Sequence, residues 1–178
     1  MDSVVLLKMP SAACEWLRAA CGPLEPDCRC WRVRGEDLVH VYAPPSLLQR
    51  LPRSLPAGLE VVRLQTLSSL DGAAAVTPPR AHYVVETDVS AEHEAEFNDW
   101  YDREHLPGLA AVAGTVRAAR YLQQGAGTRY YAAYDLQDAT VLGSPAWVAA
   151  RDTAWSARVF PHFRNTRRAM FEPLPPPA

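Results

Sequence analysis

One order of elements, met twice, constrains this chain more than any single motif does. Residues 1–70 read as β-α-β-β-α-β, and residues 82–172 read the same way. In the first half, Val4 to Met9 is a short apolar strand. Ser11 to Ala20 is a helix, with Ser11 as its expected cap and Gly22-Pro23 as its stop. Cys28 to Arg34 and Asp37 to Tyr42 form a hairpin about Gly35-Glu36, and Leu59 to Leu67 returns as a strand after a helix over Pro45 to Leu55. Residues 71–81, rich in Gly, Ala and Pro, read as a linker. In the second half, His82 to Asp88 is a strand. Ser90 and an acidic first turn open a helix that runs to about His105. Thr115 to Leu122 and Thr128 to Leu136 form a hairpin. Ser144-Pro145 opens a helical region, and Asn165 to Phe171 is the last strand. The proline-rich stretch 173–178 is expected to be a disordered tail.

This order is the split β-α-β, or ferredoxin-like, arrangement. Each half would be a four-stranded antiparallel sheet with two helices on one face. The other sheet face needs a cover. Each half can cover the other, so the expected class is α+β: tandem ferredoxin-like units pressed into an α/β-barrel-like pseudo-dimer. The two halves share this order but little letter-by-letter similarity. A chain of 178 residues is long enough to bury such a core.

Composition removes several functions. The net charge of -2 includes no basic cluster, which argues against nucleic acid or an anionic membrane as partner. No segment is apolar and long enough to span a bilayer, and no export signal is evident, so a cytoplasmic protein is expected. Cys14, Cys21, Cys28 and Cys30 are then reduced thiols, and their spacing suits core packing better than zinc. There is no paired-His metal pattern, no Gly-rich phosphate loop and no nucleophile elbow. Neither a metal nor a cofactor is called for.

Strand alternation sorts the second half into two rows. Tyr83, Val85, Val116, Ala118, Leu122, Tyr130, Ala132, Tyr134 and Leu136 form an apolar row, with Arg120 as its exception. This row suits a helix-covered face. The other row holds His82, Val84, Glu86, Arg117, Ala119, Tyr121, Arg129, Tyr131 and Ala133. It is either a solvated surface or the lining of a cavity between sheets, in which Arg117, Tyr121, Arg129 and Tyr131 would meet a ligand.

On the helix ending near His105, Phe97, Trp100, Tyr101 and Glu104 follow α-helical spacing. Tyr101 lies four residues before His105, and Asp102 lies three before it, in reach to orient the ring. Pro107 should end the helix at His105 or Leu106. A histidine at a helix C-terminus has its cation favoured and can move protons near neutral pH. The alternative is a structural histidine that bonds a terminal carbonyl.

The run Phe97-Asn98-Asp99-Trp100-Tyr101-Asp102-Arg103-Glu104-His105-Leu106-Pro107, with Val112-Ala113-Gly114 and the strand Arg117 to Tyr121, resembles the EthD-like branch of the dimeric α/β-barrel superfamily. Ser144-Pro145-Ala146-Trp147 and the strand from Asn165 also look like this group, so the similarity covers residues 82–172. The resemblance implies two ferredoxin-like units meeting in a barrel, usually built from two chains. Here the first half offers an internal second unit, and pairing of whole chains stays compatible with it. It also implies that His105 faces the barrel cavity near a small-molecule ligand.

Two functions follow as expectations. One is a cofactor-independent enzyme acting on a small apolar or aromatic carbonyl compound. In it His105 moves a proton, Asp102 orients it, and Tyr101, Arg117 or Tyr121 steadies the substrate or developing charge. The other is a non-catalytic module that binds a small ligand. A haem-linked role would need an axial ligand opening onto a large cavity.

Overall fold

The computed structural model describes residues 3–174. The first half supplies β1 (Ser3–Met9), α1 (Ala13–Cys21), β2 (Arg29–Val33), β3 (Val39–Ala43), α2 (Leu47–Arg50) and β4 (Glu60–Asp71). The second supplies β5 (Ala81–Val89), α3 (Glu94–Trp100), α4 (Leu106–Ala110), β6 (Thr115–Gln123), β7 (Tyr130–Leu136), α5 (Pro145–Arg151), α6 (Ala154–Val159) and β8 (Phe163–Leu174). The eight strands close into one barrel in the order β1-β3-β2-β8-β5-β7-β6-β4. Every neighbouring pair is antiparallel. Within each half the spatial order is fourth, first, third, second strand. The halves join where β2 meets β8 and where β4 meets β6. Full closure leaves no open sheet edge.

Alternation along the strands builds three cores from this ring. Val5, Leu7 and Met9 of β1 face outward onto Leu17 of α1 and Leu47 of α2. Val85, Ala118, Ala132 and Tyr134 face outward beneath the helices of the second half, meeting Phe97, Trp100 and Trp147. Residues one step along point into the barrel. Leu6, Trp31, Tyr42 and Leu64 of the first half pack there against Val84, Tyr121, Tyr131 and Phe171 of the second.

Several local expectations are corrected. α1 starts at Ala13 without a side-chain cap, and Ser11 instead gives its backbone N–H to Asp37 at 2.8 Å. The helix expected over Pro45 to Leu55 is one turn. Leu51 precedes Pro52 and is extended, with ψ of 131°, as the residue before proline tends to be. The tail expected over 173–178 is corrected for Pro173 and Leu174, which pair with Trp31 and Cys30 as part of β8. The rest of that expectation, over 175–178, lies outside the described residues. The linker is shorter than its expected bounds, since β4 runs to Asp71 and β5 starts at Ala81. Gly72 opens it where a Cβ would stand 2.1 Å from the Thr115 carbonyl oxygen, so only glycine lets the backbones approach.

Candidate functional site

The helix carrying His105 does not stop at Pro107. After α3, residues Tyr101–His105 form a π-helical turn, and the chain continues directly into α4 with Pro107 in its first turn. A π turn bonds residue i to i+5, so it brings positions five apart onto one line. The wider turn also tolerates a proline that lacks an N–H to give. His105 therefore lies over Trp100, ring centroids 4.0 Å apart, and meets Tyr101 edge-on at 5.1 Å. The indole of Trp100 is wholly buried and anchored, with Nε1 donating to Ser156 Oγ at 3.2 Å.

This placement overturns the expected cationic histidine. His105 sits inside a continuous helical run, is 6% exposed, and has no helix C-terminus to favour its charge. Burial, then the Arg120 and Arg151 charges, push its pKa down to about 3, with Asp152 pulling weakly the other way. The ring is neutral at any ordinary pH. Its Nδ1 is buried with no hydrogen-bond partner among the described residues.

Asp102 does not orient this ring. Its carboxylate accepts from Arg120 Nη1 at 3.1 Å. Arg120 is the exception in the apolar row, and its burial has a local explanation. Its Cζ stands 4.2 Å from the Tyr101 ring centre, with Phe97 and Tyr130 at 5.2 and 5.4 Å. Its other nitrogen, Nη2, donates to Asn98 Oδ1 at 2.7 Å. A buried guanidinium boxed by three ring faces and two oxygen acceptors is paired and satisfied.

His105 lines a cavity of about 50 Å³ between the outer sheet face and the helices, with Tyr101, Tyr134, Trp147, Phe160 and Phe163 among its walls. Arg151 and Arg168 add positive charge to the lining. The Tyr134 hydroxyl is buried beside the Tyr101 phenol in this wall. The unpaired Nδ1 of His105 in this cavity wall is rare in native interiors and marks a place for a hydrogen-bonding guest.

The candidate residues do not form one site, because the sheet divides them. Tyr101, Asp102 and His105 lie on the helix side. Tyr121 and Tyr131 point into the barrel, where they are 1% and 2% exposed. The solvated-surface alternative for that row is thereby excluded for both tyrosines. Arg117 reaches the barrel mouth and donates to Ser69 Oγ at 2.9 Å and Tyr121 Oη at 3.3 Å. Arg129 is on neither. It lies just before β7, exposed, and pairs with Glu94 at 2.8 Å on the helix side. The expectation that His105 faces the barrel interior, with Arg117 and Tyr121 beside its substrate, is corrected on this geometry.

The barrel interior holds two polar groups that sequence reading did not assemble. Lys8 Nζ pairs with Glu86 Oε2 at 2.6 Å and donates to Tyr131 Oη at 3.1 Å. Four residues back along β5 and four further along β7, His82 Nδ1 lies 2.6 Å from Asp135 Oδ1. His82 Nε2 lies 3.1 Å from Tyr42 Oη, and Arg29 Nη1 donates to Asp135 Oδ2 at 2.8 Å. Burial alone would push the Asp135 carboxyl up, but the His82 hydrogen bond and the Arg29 and Arg117 charges hold it below the ordinary value. Asp135 is thus ionised, and Nδ1 of His82 carries the proton. Only strand register brings these residues together, so no local sequence signal marks them.

Haem can be tested against this lining. A neutral imidazole is a suitable axial donor, but small-molecule sites commonly span about 300–1,000 Å³. A cavity of about 50 Å³ leaves no room for a macrocycle. The residues present do not fit that group. No cluster of three or more potential metal ligands occurs among the described residues, and no helix is long and apolar enough to cross a membrane.

No protein-family model matches the sequence, and no curated protein matches it. Solved structures do. A ferredoxin-fold protein from Listeria monocytogenes, described as related to antibiotic biosynthesis monooxygenases, superposes with a TM-score of 0.65 at 8% identity, covering 98% of this chain and 95% of that one. A haem-degrading enzyme from Listeria monocytogenes gives 0.63 at 9% identity, over 96% and 99% of the two chains. A mutant chlorite dismutase from Candidatus Nitrospira defluvii gives 0.59 at 14% identity, over 98% and 93%. At such identities the likeness is one of fold. In architecture this chain is similar to the ferredoxin-like α/β-barrel proteins.

Proposed function

We propose that this chain is a cofactor-independent enzyme of the EthD-like kind. It takes a small apolar or aromatic carbonyl compound between the outer sheet face and the helices of residues 82–172. His105 accepts a proton from that substrate. The observation carrying this reading is the unpartnered, neutral imidazole in the wall of an aromatic cavity. A general base must be unprotonated to act, and His105 is so at every ordinary pH. A ring held near 3 is a weak base, so the substrate proton it takes must be one acidified by positive charge in the cavity wall. Trp100 fixes the plane of the ring, and Tyr101 closes one edge. Arg168 supplies positive charge for an enolate that forms beside it, while Arg151 is paired with Asp152. Residues 1–70 then act as the second unit of an internal pseudo-dimer, closing the barrel that backs the site.

The size of the cavity favours one second reading. About 50 Å³ admits a few waters and not a ring, so a substrate must displace half-buried Phe160 and Phe163. Without that displacement the chain is a small-ligand or structural module with no chemistry.

Hydrogen exchange decides between them. The protein is incubated in deuterated water with a panel of single-ring aryl ketones and phenylacetaldehydes, and loss of the α-proton signal is followed by NMR. The proposal expects catalysed exchange in at least one, reduced about 10²–10⁴-fold in His105→Phe. Absence of exchange across the panel, or exchange undiminished in that variant, rejects it.

A further inference from the structure

The second polar group of the barrel interior opens to the outside. Arg29, Tyr42 and Arg117 line a pocket of about 240 Å³ at the barrel mouth, together with Val4, Pro44 and Asp27. It lies on the other side of the sheet from His105 and owes nothing to that site.

The charges at this mouth are unevenly paired. Arg29 is committed to Asp135, though its side chain stays 28% exposed. Arg117 has no carboxylate partner among the described residues, and its two hydrogen bonds go to hydroxyls, Ser69 and Tyr121. A guanidinium carries five donor N–H groups, so Arg117 keeps donors to spare. Asp135 faces both arginines and carries one negative charge against two positive ones. Asp27 also lines the pocket, but it lies on an exposed loop without an ion pair to any described residue, where water and salt screen it.

The groups around the arginines are held in place. With Nδ1 of His82 donating to Asp135, Nε2 accepts from the Tyr42 hydroxyl. The imidazole is stacked on Trp31 at 4.7 Å, and Arg29 lies 5.2 Å over the Tyr42 ring. Tyr42, held between His82 and Arg29, lines the pocket, and Val4 and Pro44 add an apolar wall. A rigid fork with free donors, a second guanidinium beside it and a short apolar wall match a planar carboxylate on a small body.

We propose that this barrel mouth binds a small organic acid, its carboxylate held by Arg117 and Arg29 and its body against Tyr42, Val4 and Pro44.

Benzoate titrated into the full-length protein, followed by calorimetry and by amide NMR shifts, tests this. Saturable binding is expected, with shifts centred on residues around Arg29, Tyr42 and Arg117. Arg117→Gln should weaken it by about tenfold or more, as expected for loss of a charged hydrogen-bond donor. Arg117→Lys keeps the charge without the fork and should fall between. Asp27→Asn, on an exposed loop where the charge is screened, should change binding by less than about twofold. No saturable binding at 20 mM benzoate, or binding unchanged in both Arg117 variants, overturns the proposal. Inorganic phosphate binding as tightly as benzoate overturns the organic part, since the apolar wall would then contribute nothing. None of these outcomes depends on proton transfer at His105.

Discussion

His105 lies over Trp100 with ring planes 26° apart, although the two are five positions apart along the helix. In an α-helix those positions would point in different directions. The π turn over Tyr101–His105 aligns them and fixes the imidazole against a fully buried indole. Trp100→Ala removes that platform and leaves a large void. It should cost about 3–5 kcal/mol in urea-induced unfolding. His105→Phe keeps the stack and should cost far less, so it isolates the imidazole's chemistry from its packing. Equal losses in the two variants would mean that the nitrogen atoms of His105, not the stack, stabilise the turn.

Acid should unfold this protein earlier than its carboxylates alone require. Burial, then the Arg120 and Arg151 charges, hold His105 at about 3. Burial first, then the Lys8, His82 and Arg167 charges, hold His40 at about 2. Both lie below the ordinary histidine value near 6.5, so the unfolded chain binds more protons between those limits. Stability is full above about pH 6.5 and falls as pH drops toward 3, by roughly 1 kcal/mol per pH unit for each ring. Urea midpoints from pH 8 to pH 4 check this. His105→Phe should flatten the slope, and a slope unchanged by that substitution would refute the neutral, buried assignment.

Asp102 and Arg120 form a test of what the motif means. Asp102 holds Arg120, which is buried under the helix, and not the histidine. Asp102→Asn should therefore leave proton transfer by His105 nearly unchanged while lowering stability by about 1–2 kcal/mol. Arg120→Ala leaves Tyr101, Phe97 and Asn98 without their common partner and should cost about 3–5 kcal/mol. Arg120→Met retains the volume and should recover part of the loss. A large activity defect with normal stability in Asp102→Asn would restore the orienting role.

Much of this architecture was legible because it rests on period two. Alternation alone separated Tyr121 and Tyr131 from Tyr130 and Tyr134, and the barrel wall places those pairs on opposite sides. Arg120 stood out as a charge in an apolar row, and its cage of rings explains the exception. The site was harder to read. The pairing of His105 with Tyr101 assumed α spacing, whereas the π turn favours Trp100, and tertiary packing against Ser156 and Phe160 supports that choice. Joining His105 to Arg117 and Tyr121 failed for a different reason. The helix of His105 packs on the outer face, whereas Tyr121 of β6 points inward and Arg117 reaches the barrel mouth, and no local pattern states which sheet face a helix covers. The His82, Asp135, Tyr42 and Arg29 group spans four strands, so only register assembles it.

The buried pair of Lys8 and Glu86 supplies the last test, since it joins the first strand of one half to the first strand of the other. The ammonium and the carboxylate are 2.6 Å apart with side chains 11% and 9% exposed, and Lys8 also lies 4.9 Å over the Tyr131 ring. Removing two charges from water costs several kcal/mol each, and their attraction in the interior only offsets that cost. The pair therefore adds little net stability, yet neither partner tolerates loss of the other. Glu86→Gln or Lys8→Met alone should each cost about 3–5 kcal/mol, because an unpaired charge stays buried in the barrel. The double variant Lys8→Met, Glu86→Leu removes both charges and fills the space. It should unfold within about 2 kcal/mol of the parent protein, well short of the summed single losses. A double variant that loses the full sum would show the two residues acting independently. The contact would then not bridge the halves through charge.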